Sequence, residues 1–172
     1  MAILKNIIFD TILDRFDSNL WHFHIVVPKN VAEKFTRKKA TRVVCTLNKK
    51  ASFQCAILSA GSGTYFINVN KKIRDALKIK EGSKVSASLT EDESAYGLPM
   101  PEELQEVLLQ DETGNKIFHQ LTPGKQRTLL YIVSVPKSVD SRIKRALVIM
   151  EHLQQTKGKI DYKELNRMIK GT

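Results

Sequence analysis

Two histidines are the first residues in this sequence whose types and spacing could do chemistry. His22 and His24 lie two apart in an aromatic and β-branched run that favours a strand, so both side chains would point to one face. Two imidazoles on one face can ligate a metal, but a zinc site needs three or four ligands. Since no further Cys, His or Asp stands at a recognisable spacing, we predict no metal site. The remaining histidines, His119 and His152, are interpreted as surface or packing residues.

Motifs for catalysis or for a cofactor are weak in this sequence. Gly61-Ser62-Gly63 lacks the framing of a nucleophile elbow and is too short for a dinucleotide loop, so we interpret it as a hairpin turn. Thr122-Pro123-Gly124-Lys125 could bind an anion at a helix start, although helix capping alone explains this segment. The carboxylates Glu91-Asp92-Glu93 are typical of a solvated connector. We therefore expect a protein that is not an enzyme, with no catalytic residue and no cofactor.

Cysteine usage and hydropathy favour a cytoplasmic protein. Cys45 and Cys55 lie inside strand-like patterns, where cysteine acts as a small hydrophobe, and we expect reduced thiols even if they face each other across a hairpin. The longest apolar runs, such as residues 129–133, are far shorter than the roughly 18 residues that a membrane span needs. The first six residues have no basic region and no long apolar stretch, so we expect no export and no membrane insertion.

Positive charge is the most unusual property of the composition. The formal net charge is +10, with 16 Lys and Arg against 6 Asp and Glu in residues 1–90, none against 8 in residues 91–112, and 12 against 4 in residues 113–172. Clustered cations can bind phosphates without reading sequence, so the basic residues are the candidates for anion or nucleic-acid binding. The alternative is that lysines only solvate exposed faces. The candidates are Arg37, Lys38, Lys39, Arg42, Lys49, Lys50, Arg127, Arg142 and Arg145, with Lys71, Lys72 and Arg74 as a further group.

Strand patterns dominate residues 1–90. Residues 42–47 and 51–58 alternate apolar and polar around Asn48-Lys49-Lys50, which predicts a hairpin. Extended patterns over residues 3–16, 21–27, 64–69 and 84–89 add further strands, and short helices are predicted at residues 31–35 and 71–77. About six or seven short strands with close turns favour a small, mostly antiparallel β-barrel, because closure removes exposed edges.

Helical patterns replace strand patterns after residue 90. The acidic connector and a first helix starting near Pro101 occupy residues 91–112, and a helical module fills residues 113–172, beginning with a short helix predicted at residues 115–120. The clearest helix runs over residues 139–157, with a cap at Ser138 and apolar residues at helical spacing. The prediction is an α+β protein with a barrel domain over residues 1–90, followed by a C-terminal helical module.

Both halves of the chain resemble known bacterial families. The first half resembles an uncharacterised β-barrel domain family in Trp21 with Val27-Pro28, the hairpin end Ile57-Leu58, residues 63–67, and above all residues 72–85. The second half is similar to the YdeI/OmpD-associated, or bacteriocin-protection, family in residues 98–104, Phe118, Leu121 with Pro123-Gly124, Gln126-Arg127, Tyr131-Ile132 and residues 141–145. This resemblance implies a role in envelope or bacteriocin stress, but a fold family does not by itself supply a chemistry.

Three hypotheses for the function follow from these observations. The first is an interaction protein with an unknown protein partner, which needs an exposed apolar patch; the final helix with Tyr162, Leu165 and Met168 is the candidate. The second is a nucleic-acid binder, favoured by the basic clusters and by a short resemblance of residues 77–85 to AbrB-type DNA-binding barrels. The third is a small-ligand carrier or enzyme that uses the barrel cavity. The sequence leaves the oligomeric state open.

Overall fold

Seven antiparallel strands form one curled sheet in the first half of the chain. A computed structural model describes residues 6–17 and 23–171. The strands are β1 (Ile7–Arg15), β2 (Phe23–Val27), β3 (Arg42–Leu47), β4 (Ala51–Ala56), β5 (Leu58–Gly61), β6 (Thr64–Asn68) and β7 (Lys84–Glu91). They pair in the order β4-β3-β7-β1-β2-β6-β5. Two short helices, α1 (Lys29–Thr36) and α2 (Lys71–Leu77), belong to the same unit.

The curl of the sheet comes from strands that change partners. Strand β1 pairs with β7 over Ile7–Ile12 and then with β2 over Leu13–Arg15. Strands β4 and β5 stand at opposite ends of the pairing order, yet Ile57 alone separates them in sequence. The two ends of the sheet are therefore joined covalently, and the sheet turns back on itself as a half-barrel. This confirms the predicted α+β class and the mostly antiparallel barrel of about seven strands.

Alternation along the strands determines which side chains fill the barrel. In β3, Val43, Cys45 and Leu47 are fully buried, while the residues between them are only partly buried. The predicted Gly61-Ser62-Gly63 turn joins β5 to β6, and all three residues have positive φ. Helix α1 contributes the fully buried Phe35 to the same core. The core of the first unit thus follows the period-two pattern that the sequence shows.

Five helices form the second half. They are α3 (Glu102–Gln110), α4 (Glu112–Gln120), α5 (Pro123–Ser134), α6 (Val139–Gln155) and α7 (Tyr162–Lys170). Side chains of Asp111, Ser138 and Asp161 accept backbone N–H groups at the starts of α4, α6 and α7. Helix α6 packs against the other four helices, and its residues Ala146, Ile149 and Leu153 are fully buried. No helix of the described residues is long and apolar enough to cross a membrane.

The contacts divide the chain into two compact units, residues 1–93 and residues 94–172. We call them the barrel unit and the helical unit. Each has its own hydrophobic core, centred on the curled sheet in the first and on α6 in the second. The predicted 1–90 domain falls inside the barrel unit.

Candidate functional site

The basic candidates of the barrel unit lie near the two ends of the β3–β4 hairpin. Arg37 donates to Glu33 at 3.1 Å, and Lys38 lies 3.6 Å from the carboxylate of Glu91; Lys39 lies in the same connection, and Arg42 begins β3. Lys49 and Lys50 follow the other end of β3. A six-residue strand spans roughly 17 Å, so the length of β3 separates the two groups of cations. Their predicted role in anion binding stays a prediction.

Two of the basic candidates in the helical unit hold the end of α5. The guanidinium of Arg142 donates to Glu103 at 2.8 Å and to the backbone carbonyls of Pro136 and Lys137 at 3.1 and 2.9 Å. Arg145 donates to the carbonyl of Ile132 at 2.9 Å. These carbonyls lie in and just beyond the last turn of α5, where backbone acceptors lack helical partners. Arg127, the third candidate, is half-buried on α5.

His24 is a packing residue in the described structure, and His22 lies outside the described residues. The ring of His24 is buried and stacks on Phe16 with 3.7 Å between centroids. Burial lowers the pKa of this imidazole, and the carboxylate of Asp14 acts against that shift. Among the described residues, no cluster of three or more His, Cys, Asp or Glu could hold a metal ion.

The other two histidines have structural contacts inside the helical unit. His152 is buried, and its Nε2 accepts the backbone N–H of Asp161 at 3.1 Å. His119 is exposed and lies 2.8 Å from the Tyr96 hydroxyl. Both fit the interpretation of surface or packing histidines.

A cleft of about 510 Å³ opens where β4 has no strand partner on one side. Strand β4 contacts β6 and α2 there, but within the described ranges 6–17 and 23–171 it pairs only with β3. We call this space the β4 cleft. It is lined by Phe23, Arg42, Phe53, Gln54, Cys55, Ala56, Leu58, Asn68, Val69, Asn70 and Arg74. Its walls are largely apolar, and two guanidinium groups and three carboxamides supply the polar atoms.

Arg74 is the best-positioned polar side chain of the β4 cleft. The Asn70 side chain accepts the N–H of Ile73 at 2.9 Å and so begins α2, which places Arg74 one turn along the helix. The guanidinium carbon of Arg74 lies 3.7 Å from the centroid of the Phe23 ring, a close cation–π contact. The Nε atom of Arg74 is buried and has no hydrogen-bond partner in the part of the chain that the structure describes. The ring contact therefore holds a cation in place in the lining of the cleft.

An acidic residue, Asp92, lies next to Arg42 and Gln54 of the β4 cleft. The carbonyl of Arg42 accepts the backbone N–H of Asp92 at 3.2 Å. The amide of Gln54 donates to both carboxylate oxygens of Asp92, at 3.3 and 3.1 Å. Asp92 thus places a negative charge at the side of the cleft that Gln54 and Arg42 form.

The two cysteines belong to the β3–β4 hairpin, which forms one wall of the cleft. Both are free thiols; Cys45 is fully buried, while Cys55 lines the cleft and contacts the carbonyl of Val43 at 3.6 Å. A hydrogen bond with Cys55 and burial raise the pKa of the Cys45 thiol far above its usual range. Cys45 is therefore a neutral packing group and a poor nucleophile, because the thiolate is the reactive form.

The proposed apolar patch on the final helix is wrong for Leu165, and Met168 is half-buried against the same core, while Tyr162 is exposed. Leu165 is only 1% exposed and packs in the core of the helical unit, because it faces inward from α7. Exposed apolar side chains occur instead at every fourth position from the end of α5 through α6. They are Tyr131, Val135, Val139, Ile143 and Leu147, which we call the apolar row.

The β4 cleft is the feature that the sequence did not reveal. Arg42 was among the candidate residues, and Arg74 was grouped with Lys71 and Lys72 only as part of a basic cluster. The aromatic partner of Arg74, Phe23, lies far away in sequence and no local spacing connects them.

Comparisons with known protein families agree with the two-unit architecture. Residues 9–89 match a family model described as a domain of unknown function, DUF1905, and residues 98–156 match one described as bacteriocin-protection, YdeI or OmpD-associated. No match was found among curated proteins. The barrel unit is therefore similar to DUF1905 domains, and the region that follows it is similar to the YdeI/OmpD-associated, bacteriocin-protection family.

Proposed function

We propose that the protein is a non-catalytic binding protein whose barrel unit holds a small anionic molecule in the β4 cleft. The observation that supports this proposal is Arg74, whose guanidinium is held against Phe23 and keeps a buried Nε donor without a partner among the described residues. A guanidinium that is held in one place among largely apolar walls favours an anionic ligand, because a charge-assisted hydrogen bond is stronger than a neutral one.

The shape of the β4 cleft supports the same proposal. Small-molecule sites in proteins typically have volumes of about 300–1,000 Å³ and are mostly apolar, with a few polar groups that fix orientation. The β4 cleft has about 510 Å³, with apolar walls that include Phe53 and Leu58. Stacking on Phe23 limits the rotamers of Arg74, so less entropy is lost when a ligand binds.

The proposal predicts that small anions stabilise the protein through Arg74. We expect at least one class among small carboxylates, phosphate esters and sulfonates to raise the melting temperature with increasing concentration, because a ligand of the native state stabilises it. The measurement is thermal unfolding at constant ionic strength. We expect Arg74→Met to lose this rise.

A matched control lies two positions earlier on the same helix. Lys72 is exposed, so Lys72→Met also removes one positive charge from α2 but leaves the cleft intact. We expect this variant to keep the ligand-dependent rise in melting temperature. The proposal would fail if no anion class stabilised the wild type, or if Arg74→Met and Lys72→Met responded alike.

Nucleic-acid binding by the basic residues of the barrel unit is a separate hypothesis, and we expect such binding to be weak. Fluorescence anisotropy of labelled duplex and single-stranded oligonucleotides should show only weak binding. This binding should disappear at about 0.15 M salt. The reason is that the barrel cations lie near two ends of a hairpin and Arg37 and Lys38 have acidic partners. Tight binding that falls steeply with salt, and is lost when Arg37, Lys38 and Lys39 become Glu, would instead establish phosphate contact as the mechanism.

A protein partner is the second candidate function, and the apolar row of the helical unit favours it. Ile143 and Leu147 are 39% and 53% exposed on consecutive turns of α6. A photo-crosslinking residue at position 143 should couple to a protein linked to bacteriocin protection, as the matching family description suggests. The purified pair should then bind each other, and Ile143→Ser with Leu147→Ser should abolish that binding. Binding that survives the double substitution would exclude the apolar row as the partner surface.

A further inference from the structure

We propose that the anion held in the β4 cleft is a monocarboxylate with a flat apolar body, such as an aromatic carboxylate. This inference rests on the proposed anion-binding function and names the ligand class that the cleft fits. It follows from the charge on the cleft, the geometry of its cation and the composition of its walls.

The charge on the cleft fits a single negative charge. Two guanidinium groups line it, but Asp92 lies next to the Arg42 side, joined to it through the Arg42 carbonyl and through Gln54. Arg42 and Asp92 together carry no net charge, so among these three groups Arg74 supplies the net positive charge. Arg15 lies 5.8 Å from the centroid of the Phe23 ring and is not part of the lining. A phosphate monoester carries close to two negative charges at neutral pH. Its second charge would be repelled by Asp92, whereas a carboxylate has only one charge to place.

The geometry of Arg74 also fits a carboxylate. Guanidinium donors form a planar fork that matches the two oxygens of a carboxylate in two parallel hydrogen bonds. The contact of the guanidinium with Phe23 occupies one of its faces, which leaves its edge to make such bonds. Nε is buried, which leaves the edge between the two terminal nitrogens for a ligand in the cleft. A carboxylate that lies in the plane of the guanidinium can accept both hydrogen bonds of this fork.

The walls of the cleft select the rest of the ligand. Beyond Arg74, the lining includes the ring of Phe53 and the apolar side chains of Leu58 and Val69. Aromatic rings pack well against such walls, in offset-stacked or edge-to-face contact with a phenylalanine ring. The volume of about 510 Å³ holds a ring together with its carboxylate and leaves room for substituents.

Three probes with the same ring and different head groups test this ligand class. Benzoate, phenyl phosphate and benzamide are titrated into the full chain, and binding is followed by isothermal titration calorimetry and saturation-transfer NMR. Benzoate should bind about tenfold more tightly than benzamide, because a charge-assisted hydrogen bond typically contributes at least that factor. It should also bind more tightly than phenyl phosphate, because Asp92 repels the second charge of the phosphate. Circular dichroism spectra confirm that each variant is folded.

Variants of α2 assign the binding to the fork of Arg74. Arg74→Met should weaken benzoate binding by about tenfold or more, and Arg74→Lys should weaken it nearly as much, because lysine keeps the charge but not the planar fork. Lys72→Met should bind benzoate within about twofold of the wild type.

The outcomes separate this inference from the proposed function. Tighter binding of phenyl phosphate, lost in Arg74→Met, would overturn the carboxylate assignment while leaving an anion-binding cleft in place. Equal binding of benzamide and benzoate would overturn both, since no charge would then be recognised. Absence of benzoate binding to the wild type would overturn the carboxylate inference, and the wider anion series would decide the function separately.

Discussion

Leu104→Ala should lower the free energy of unfolding of the helical unit by about 2–5 kcal/mol. Leu104 lies on α3, is fully buried and belongs to the core cluster around α6. The loss has two parts. The deleted methyl groups no longer contribute the free energy of transfer from water into the core, and the packed neighbours relax only partly into the cavity that remains. Urea denaturation followed by far-UV circular dichroism measures the change.

Leu109 provides a matched control on the same helix. It is 71% exposed, so Leu109→Ala deletes the same atoms from the surface and should change stability by no more than about 0.5 kcal/mol. A comparable loss in both variants would mean that Leu109 is also buried in the protein in solution. A loss in neither would contradict the core position of Leu104.

The predicted barrel rests on a signal that is local in sequence. In the β3–β4 hairpin, apolar and polar residues alternate because one face of each strand is buried, so the pattern predicts the strands and their pairing. Pairing between distant strands has no such signal. Nothing near Leu13 shows that β1 leaves β7 and pairs with β2, and nothing before Ile57 shows that the chain there crosses from one end of the sheet to the other.

Helix α4 shows why a boundary can be missed. The sequence predicts a short helix from Asn115, but the structure begins it at Glu112. Glycine is a poor helix former, so Gly114 lowers the helix propensity of the first turn and the sequence pattern does not indicate that turn. Packing explains the glycine, because an added Cβ would lie 2.8 Å from the sulfur of Met150. The Asp111 side chain accepts the N–H of Gly114 at 2.8 Å and supplies the cap.

The candidate site was less predictable than the fold because a sequence shows charges without their partners. The guanidinium carbon of Arg74 on α2 lies 3.7 Å from the centroid of the Phe23 ring on β2. This contact between distant elements depends on the curl of the whole sheet. The same limitation affects Arg142. The sequence presents it as one of several cations at the start of a helix, whereas the structure pairs it with Glu103 on α3. Tertiary partners therefore decide which cations can bind a ligand.

Arg142→Met should destabilise the helical unit by about 2–3 kcal/mol at neutral pH, because it removes hydrogen bonds to a charged group. Arg142 and Glu103 are 24% and 12% exposed, and they are joined at 2.8 Å. The substitution leaves this carboxylate and the carbonyls of Pro136 and Lys137 without their shared donor. Urea denaturation at several pH values measures the loss.

The pH dependence of that loss distinguishes the ion pair from simple packing. A backbone hydrogen bond of Glu103 and the guanidinium of Arg142 hold the pKa of this carboxyl below its usual value. A lowered folded-state pKa gives stability that is complete above the unfolded pKa of about 4.3 and is lost as pH falls through the folded value. The advantage of the wild type over Arg142→Met should therefore shrink with acidification below about pH 4.3. Lys144→Met removes one positive charge from an exposed position of α6 and should change stability by less than about 0.5 kcal/mol at every pH. If both variants lost the same stability, or if the loss in Arg142→Met did not depend on pH, net charge or side-chain packing would replace the Glu103 pair as the reason for an arginine at this position.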